Sequence, residues 1–194
     1  MRLVLPNRAQ ERMLSMSELY EKTLADQLIY DGIVVKLHKY TVELPDGRQA
    51  YREILRHPGA VCVLPLTDSG EVICVRQFRF PFGKVLTELP AGKLDSPDED
   101  PLEAARRELR EETGAIAGKI VPLGDLYPSV AIFDECIHLF LATDLTFGDT
   151  DPDEDEFLDV VRIPLDELVG QILRGEIPDA KTQTAVLKVI AMQK

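Results

Sequence analysis

The chain has 194 residues, of which 45% are hydrophobic, so it suits one domain with an appendage and can bury a core. Its formal net charge of −12 argues against binding an exposed nucleic-acid backbone, because non-specific affinity there comes from Lys and Arg. The first residues (MRLVLPNRAQ) have no long apolar core, so no signal peptide is expected, and no apolar run reaches the roughly 18 residues that a membrane span needs. Three widely spaced cysteines in apolar stretches predict buried thiols and a cytoplasmic protein: Cys62, Cys74 and Cys136.

The first part of the chain is predicted to be rich in β-structure. A short helix is expected at about 17–24, with Ser17 as its N-cap. Two strands follow at 27–44 and 48–56, joined by a turn at Pro45-Asp46-Gly47. Residues 1–57 are therefore expected to form a segment distinct from a domain at 58–194.

Residues 58–194 intersperse apolar, strand-like segments with helices. A second hairpin is expected around Asp68-Ser69-Gly70, and a helix from about residue 98 or 101 to Thr113, where Gly114 stands as a C-terminal cap. Leu102, Ala105 and Leu109 of this helix are expected to face the core. The other expected elements are strands at 60–66, 71–78, 119–126, 136–143 and 157–163, a helix opened by Pro164, and a last helix capped by Asp179. This mixture predicts an α/β sandwich on a mixed sheet.

The helix that ends near Thr113 carries an unusual cluster of glutamates. Glu108, Glu111 and Glu112 stand at i, i+3 and i+4, so their carboxylates share one face. Glu111 has Arg107 one turn before it, whereas Glu108 and Glu112 have no cation at helical spacing, which costs roughly 0.2–0.5 kcal/mol. A hard divalent cation such as Mg²⁺ binds clustered carboxylates and keeps waters for a phosphate substrate. A solvated acidic face is the alternative, and the unpaired glutamates with their framing glycines favour the metal site.

Residues 92–115 (GKLDSPDEDPLEAARRELREETGA) resemble the Nudix box, the signature of hydrolases that cleave a nucleoside diphosphate linked to another moiety. The residues in register with that motif are Glu99, Arg107, Glu108, Glu111, Glu112 and Gly114. One departure is visible, because six residues rather than the usual five separate Gly92 from Glu99. The extra residue lies in the loop-like stretch 95–98, where an insertion costs little.

Three further segments look like those of the ADP-ribose pyrophosphatase and nucleoside diphosphate sugar hydrolase subgroup: Val75-Arg76-Gln77-Phe78-Arg79, Glu88-Leu89-Pro90-Ala91-Gly92 and Asp179-Ala180-Lys181-Thr182. The resemblance implies a Nudix-type α/β/α sandwich with an N-terminal β-rich segment. It also implies Mg²⁺, or Mn²⁺, as the cofactor, and a homodimer in which the N-terminal segments exchange contacts.

The resemblance assigns roles to the acidic helix and to the segment before it. Glu108 and Glu112 are expected to hold Mg²⁺, with Glu111 near a second ion and the Ala91 carbonyl as a further oxygen ligand. Arg107 is expected to orient the glutamates rather than to contact the substrate.

Arg79, Glu88 and Glu135 are the candidate substrate-binding residues. Arg79 ends an apolar strand, and its planar guanidinium suits a diphosphate because it binds two oxygens at once. Its alternative is an ordinary surface ion pair. Glu88 is a metal or positioning carboxylate or a loop charge, and Glu135 touches a ribose hydroxyl or is a surface carboxylate.

A catalytic base is expected in the acidic run 149–156 (DTDPDEDE), where the subgroup has a mobile acidic loop. Glu156, just before a strand, is the first candidate and Glu154 is the second. The alternative is an acidic linker, which most acidic runs are. A Ca²⁺ loop fits poorly, since its sixth and twelfth positions are Glu154 and Val160 rather than Gly and Glu.

The leading hypothesis is therefore metal-dependent hydrolysis of the pyrophosphate bond of nucleoside diphosphate sugars. ADP-ribose is the first expected substrate. GDP-mannose follows closely, because two features that ADP-ribose pyrophosphatases usually have are missing: the segment 127–131 (YPSVA) lacks their Ser-Pro-Gly, and the chain has no Trp to stack on a base. Two alternatives stay open: a Nudix pyrophosphohydrolase of nucleoside triphosphates or capped RNA, and a non-catalytic nucleotide-sugar sensor. The expected partner is a small-molecule nucleotide sugar, not nucleic acid or membrane.

Overall fold

A computed structural model describes residues 18–96, 98–151 and 157–193. Contacts divide these residues into two units. Unit 1 holds the described residues up to Pro58 together with Ser129–Glu135, and unit 2 holds Gly59–Pro128 and the described residues from Cys136 onward. No helix in the described ranges is long and apolar enough to cross a membrane.

Unit 1 contains a three-stranded antiparallel sheet in the order β1-β2-β3. Its strands are β1 (Lys22–Asp31), β2 (Lys36–Glu43) and β3 (Gln49–Arg56). The single strand expected at 27–44 is two strands, because the Gly32 N–H donates to the Val35 carbonyl (3.0 Å) and reverses the chain. The helix expected at 17–24 is wrong from Lys22 onward, where pairing with β2 overrides the local helix preference; its proposed cap, Ser17, lies outside the described residues.

Unit 1 also holds the connection Ser129–Glu135, which is distant in sequence. The Asp134 carboxylate accepts hydrogen bonds from Arg56 Nη1 and from the His57 backbone N–H, both at 2.8 Å. The Leu55 N–H donates to the Ile132 carbonyl at 2.8 Å, and the Asp134 N–H donates to the Leu55 carbonyl at 3.1 Å. These bonds make unit 1 discontinuous in sequence, which the expected division after residue 57 did not include.

The described residues of unit 2 form two sheets and three α-helices. Its strands are β4 (Ala60–Pro65), β5 (Glu71–Arg79), β6 (Lys84–Glu88), β7 (Ala91–Lys93), β8 (Ala115–Leu126), β9 (Ile137–Phe147) and β10 (Leu158–Pro164). Its helices are α1 (Pro101–Thr113), α2 (Leu165–Leu173) and α3 (Ala180–Met192). One sheet has the order β10-β5-β6 and the other has the order β7-β4-β9-β8, in which β4 and β9 run parallel. The sheet β10-β5-β6 is antiparallel throughout, and the sheet β7-β4-β9-β8 is mixed, so the predicted α/β fold on a mixed sheet is confirmed.

The expected turn at Asp68-Ser69-Gly70 is present, because the Gly70 N–H donates to the Thr67 carbonyl at 3.0 Å and the Thr67 N–H donates to the Glu71 carbonyl at 2.9 Å. The expected pairing of the two flanking strands along their length is wrong. The strands β4 and β5 lie in different sheets, and an isolated bridge between Leu66 and Val72 links the segments at the turn. Every residue of β4 is buried, so this strand lies in the interior and pairs on both edges, with β7 and with β9. Continuous burial of this kind is typical of a central strand rather than of an exposed hairpin.

The side chains of β4 alternate between two hydrophobic clusters. Cys62 and Leu64 pack with residues of α2 and α3, whereas Val61 and Val63 pack with residues of α1. Helices therefore cover both faces of the strand, which gives the layers of an α/β/α sandwich. Each fully buried Val or Leu side chain contributes roughly 1.5–3 kcal/mol to the stability of the fold. Because β4 has such side chains on both faces, it stabilises the packing of the helices on either side.

Helix α1 has a defined beginning and end. Asp100 is the N-cap and accepts from the Leu102 N–H, and Pro101 occupies the first turn. At the other end Gly114 has φ +68° and its N–H donates to the Arg110 carbonyl at 2.8 Å. Ala105 and Leu109 are buried, as expected, and Leu102 packs against the same cluster.

Later elements differ from expectation mainly at their ends. Strand β8 begins at Ala115, directly after the glycine cap, rather than near 119, and β9 extends to Phe147. Pro164 is the last residue of β10 and occupies the N-cap position of α2, one residue before the first helical position at which it was expected. All three cysteines are described, buried and outside any disulfide, and burial raises the pKa of the Cys62 and Cys74 thiols.

We expect Gly114→Ala to destabilise the protein more than Gly175→Ala. Both glycines have positive φ, at +68° and +77°, so either alanine costs about 1–2 kcal/mol for the left-handed backbone. A methyl group at Gly114 would also overlap the Gly148 carbonyl, whereas nothing lies within 4 Å of one at Gly175. Overpacking should add at least about 1 kcal/mol at Gly114. Urea unfolding measures both losses, and equal losses would contradict this account of the cap.

Candidate active site

The glutamates of α1 face the backbone of β7. Glu108 is 8% exposed, and a side chain at Gly92 would overlap its carboxylate, so any larger residue at position 92 would displace the Glu108 carboxylate from this position. Glu112 is 4% exposed, and its Oε2 accepts a hydrogen bond from the Ala91 N–H at 3.0 Å. Two buried carboxylates therefore converge on two consecutive residues of one short strand.

Arg107 holds three carboxylates together. Its Nη1 donates to Glu108 Oε1 at 2.7 Å and to Glu111 Oε2 at 3.2 Å, and its Nε donates to Glu99 Oε1 at 3.3 Å. Burial lowers the pKa of Arg107, but hydrogen bonds and charges from Glu99 and Glu108 raise it above its ordinary value. The expectation that Glu108 has no cationic partner on its own helix is wrong. It considered only residues at i±3 and i±4, whereas Arg107, directly before Glu108, contacts its carboxylate.

The longer loop before α1 still brings Glu99 into register. The Glu99 Oε2 accepts from the Asp95 N–H at 2.6 Å while Oε1 meets Arg107. Burial raises the pKa of Glu99, but the Asp95 N–H and the Arg107 charge outweigh it, and the pKa lies below its ordinary value. The extra residue of this loop is therefore accommodated before Glu99.

The acidic face of α1 fits a hard divalent cation. Its donors are carboxylate oxygens from Glu108, Glu111 and Glu112, next to the backbone of Ala91, and oxygen ligands are those that Mg²⁺ and Mn²⁺ bind. A second group of potential ligand atoms lies on β8 and at β9, within 4.8 Å of one another, in Asp125, Cys136 and His138. That group includes a thiol and an imidazole, which suit softer ions.

Glu88 lies at the centre of a charge cluster. It is 2% exposed and accepts from Arg79 Nε at 2.7 Å, from Arg79 Nη2 at 2.8 Å and from Lys181 Nζ. Burial raises the pKa of Glu88, but the Arg79 hydrogen bonds and the Lys181 charge outweigh it and lower the pKa to about 2. Glu88 thus binds the Nε and Nη2 atoms of Arg79, and Nη1 lies outside that bidentate contact.

A cavity of about 500 Å³ adjoins this cluster. Three cations and one largely exposed aromatic ring contribute to its wall. The residues that line it are Arg79, Phe82, Lys84, Leu86, Glu88, Pro178, Asp179, Ala180 and Lys181. Cationic side chains beside an aromatic ring suit a ligand that has both phosphates and a planar base.

The two candidate bases, Glu154 and Glu156, lie outside the described residues. The described chain that leads to them is fixed on α1, because the Asp151 N–H donates to the Glu111 carbonyl at 3.0 Å. Asp151 Oδ2 also lies 4.0 Å from Arg110 Nη1. The acidic run therefore begins beside the acidic helix.

Glu135 belongs to unit 1, where its Oε1 lies 3.7 Å from His57 Nδ1. Arg79 and Glu88 belong to unit 2. Sequence reasoning assigned no role to Lys181 or Thr182, although it noted the segment that contains them. A lysine in the first turn of a helix is an ordinary surface pattern, so only the burial of Lys181 and its contact with Glu88 reveal its part in the site.

The fold and its acidic helix define a hydrolase of nucleotide pyrophosphates. The chain belongs to the Nudix family, since the NUDIX domain matches residues 55–185. It is 43% identical to an ADP-ribose pyrophosphatase of Bacillus subtilis over 88% of this chain and 93% of that protein. A GDP-mannose pyrophosphatase of Yersinia enterocolitica is 37% identical over 76% of this chain and 83% of its own length.

The fold is also similar to that of a solved structure, described as an ADP compounds hydrolase. The TM-score is 0.78 at 23% identity, and the match covers 89% of this chain and 93% of the other. This likeness confirms the expected Nudix fold.

We expect Glu88 to contribute stability that is lost in acid. Its pKa falls from an ordinary 4.5 to about 2 in the folded protein. A depressed carboxyl pKa stabilises the fold above pH 4.5 and loses that contribution as the pH falls toward 2. The contribution is about 3 kcal/mol, since one pKa unit corresponds to about 1.4 kcal/mol.

Urea unfolding at several pH values between about 6 and 2.5 tests this. The stability gap between the wild type and Glu88→Gln should shrink across that range. The matched control is Glu103→Gln, whose side chain is 70% exposed and should show no such trend. A gap that stays constant with pH would contradict the depressed pKa.

Proposed function

We propose that the protein hydrolyses the pyrophosphate bond of nucleoside diphosphate sugars in a Mg²⁺-dependent reaction. ADP-ribose, cleaved to AMP and ribose 5-phosphate, is the first substrate, and GDP-mannose or a similar compound is the second. The observation that carries the proposal is the convergence of Glu108 and Glu112 on the backbone of β7. The named activities of the two relatives support this substrate class.

The metal ligands in this proposal are Glu108, Glu112 and the Ala91 carbonyl, with Glu111 near a second ion. A bound Mg²⁺, or Mn²⁺, would offset the negative charge of the diphosphate and lower the pKa of a water. Arg107 keeps the glutamates in place through its three carboxylate contacts. Their positions are thereby fixed before a metal or substrate arrives, so little reorganisation is needed.

Arg79 is the proposed contact to the diphosphate. Glu88 holds its Nε and Nη2, which orients the guanidinium and leaves Nη1 for a phosphate oxygen. Lys84 adds charge on the same cavity, and Phe82 offers a ring on which a base can stack. Glu135 is retained as a candidate for a ribose hydroxyl.

Glu156 is the proposed general base, with Glu154 second. The hydrogen bond from Asp151 to the Glu111 carbonyl supports this role, because it starts the acidic run beside the proposed metal ligands. In this scheme the carboxylate accepts a proton from the attacking water while the phosphorus–oxygen bond to the leaving phosphate breaks.

We further propose that the protein is a cytoplasmic homodimer. All ten residues of β1 are exposed in the single chain, and this edge strand carries Leu24, Leu28, Ile29 and Tyr30. An exposed, apolar edge strand favours pairing with another chain. The buried thiols suit a reducing compartment.

Product analysis tests the proposed reaction. The purified protein is incubated with a panel of nucleoside diphosphate sugars, including ADP-ribose and GDP-mannose, with Mg²⁺ and with a chelator. We expect AMP or GMP and a sugar phosphate only when metal is present. Glu108→Gln and Glu112→Gln should each lower the rate by at least about tenfold, the loss that even an outer-shell partner causes.

Glu103→Gln, on the same helix, is the matched control and should keep the wild-type rate. Near-wild-type rates in both site variants at limiting Mg²⁺ would refute the metal assignment. If no nucleoside diphosphate sugar of the panel is cleaved, a nucleoside triphosphate or capped RNA becomes the favoured substrate. If these compounds are not cleaved either, the result favours a non-catalytic nucleotide-sugar sensor.

We expect Glu156→Gln to lower kcat more than it raises KM. A positioned general base contributes about 10²–10⁴-fold to the chemical step and little to ground-state binding. Steady-state kinetics at saturating Mg²⁺ measures both parameters. Glu154→Gln is the comparison, and if it alone lowers kcat, the base is Glu154.

A further inference from the structure

The segment Glu88–Ala91, which leads into the acidic helix region, is fixed at every residue. Arg79 and Lys181 bind the Glu88 carboxylate, and Thr182 Oγ1 accepts from the Leu89 N–H at 2.9 Å. The Pro90 carbonyl accepts from the Val63 N–H at 2.9 Å, and the Ala91 N–H meets Glu112. The positions of these four residues therefore depend on contacts from outside the segment.

Two of these contacts come from the first turn of α3. Asp179 caps that helix, and its Oδ2 accepts from the Thr182 N–H at 2.9 Å and from Thr182 Oγ1 at 2.6 Å. Its Oδ1 accepts from Lys181 Nζ at 3.0 Å. Asp179 thus sets the rotamers of Lys181 and Thr182, and these two side chains reach consecutive residues, Glu88 and Leu89.

The burial of these groups makes their geometry restrictive. Thr182 is fully buried and Leu89 is 1% exposed, so water cannot replace the hydroxyl as the partner of the Leu89 N–H. Burial lowers the pKa of Lys181, but Asp179 and Glu88 outweigh it and hold the pKa above its ordinary value. Two cations, Arg79 and Lys181, balance two anions, Glu88 and Asp179, so the cluster has no excess charge to repel a metal ion.

We propose that Lys181 and Thr182 are positioning residues for metal binding: through Glu88 and Leu89 they hold Ala91 at the distance from Glu112 at which a divalent cation binds. The inference rests on the proposed function, because that proposal makes Ala91 and Glu112 ligands. It adds that α3, nearly seventy residues after the acidic helix, determines metal affinity. Outer-shell partners of metal ligands act in this way, and their loss commonly costs 10–100-fold in affinity.

Mn²⁺ binding without substrate tests the proposal, with free Mn²⁺ measured by electron paramagnetic resonance. Lys181→Met removes the charge but keeps most of the chain length, and Thr182→Val removes the hydroxyl but keeps the shape. We expect each to raise the Mn²⁺ dissociation constant by about tenfold or more. Thr182→Ser keeps the hydroxyl and should retain most of the affinity.

Lys188→Met is the matched control, because Lys188 lies on the same helix and its Nζ donates to the Leu123 carbonyl. This variant should bind Mn²⁺ as the wild type does. Kinetics provides the second readout: Lys181→Met and Thr182→Val should both need more Mg²⁺ for half-maximal rate. Thr182 does not line the cavity, so Thr182→Val should also leave the substrate KM at saturating Mg²⁺ nearly unchanged. Far-ultraviolet circular dichroism confirms that each variant is folded.

The outcomes separate the two proposals. Wild-type protein that binds no Mn²⁺, or that binds it equally after Glu112→Gln, would overturn the proposed metal site and this inference with it. Wild-type binding that Glu112→Gln abolishes but that folded Thr182→Val retains in full would overturn the inference alone. An equal loss in Lys188→Met would also overturn it, since a general effect on α3 would then explain the result. If Lys181→Met does not fold, the comparison of Thr182→Val with Thr182→Ser tests the inference.

Discussion

The close approach of α1 to β7 is the constraint on which the rest of the site depends. Glu108 lies where any side chain at Gly92 would overlap it, and Glu112 binds the neighbouring N–H. This approach requires a helix fixed at both ends, by Asp100 and by Gly114. It also requires the apolar face of α1 to be held against β4, which the shared hydrophobic cluster provides.

Burying several carboxylates in one place is costly unless cations or hydrogen bonds compensate. Two clusters among the described residues of unit 2 provide this compensation. Arg107 serves Glu99, Glu108 and Glu111 on one side, and Arg79 with Lys181 serves Glu88 on the other. The first cluster is acidic overall and suits a cation, whereas the second is balanced and suits a structural role next to the cavity that Arg79 and Lys181 line. Both clusters consist of carboxylates and cations, but the ratio of negative to positive charge differs between them, and so do the roles that they suit.

The sequence predicted those parts of the structure that depend on local pattern. The caps at Asp179 and Gly114, the apolar face of α1 and the register of the box from Glu99 onward follow from residue types at fixed spacing, and the structure confirms them. The turn between β4 and β5 formed as predicted, but the predicted pairing of the two strands is wrong. The partners of a strand buried on both faces depend on the tertiary fold, which the spacing of residues in the sequence does not encode. Lys181 was missed because its partner, Glu88, is more than ninety residues away.

The discontinuity of unit 1 has a consequence for biosynthesis. Its last contributors, Ser129–Glu135, emerge from the ribosome only after the whole acidic helix has been made. The bonds of Arg56, His57 and Leu55 to this segment must therefore form late. The sheet β1-β2-β3 is made from residues 22–56 alone, but unit 1 is complete only when Ser129–Glu135 has been synthesised. A shortened chain that stops before residue 129 would leave Arg56 without the Asp134 carboxylate that it binds in the complete protein.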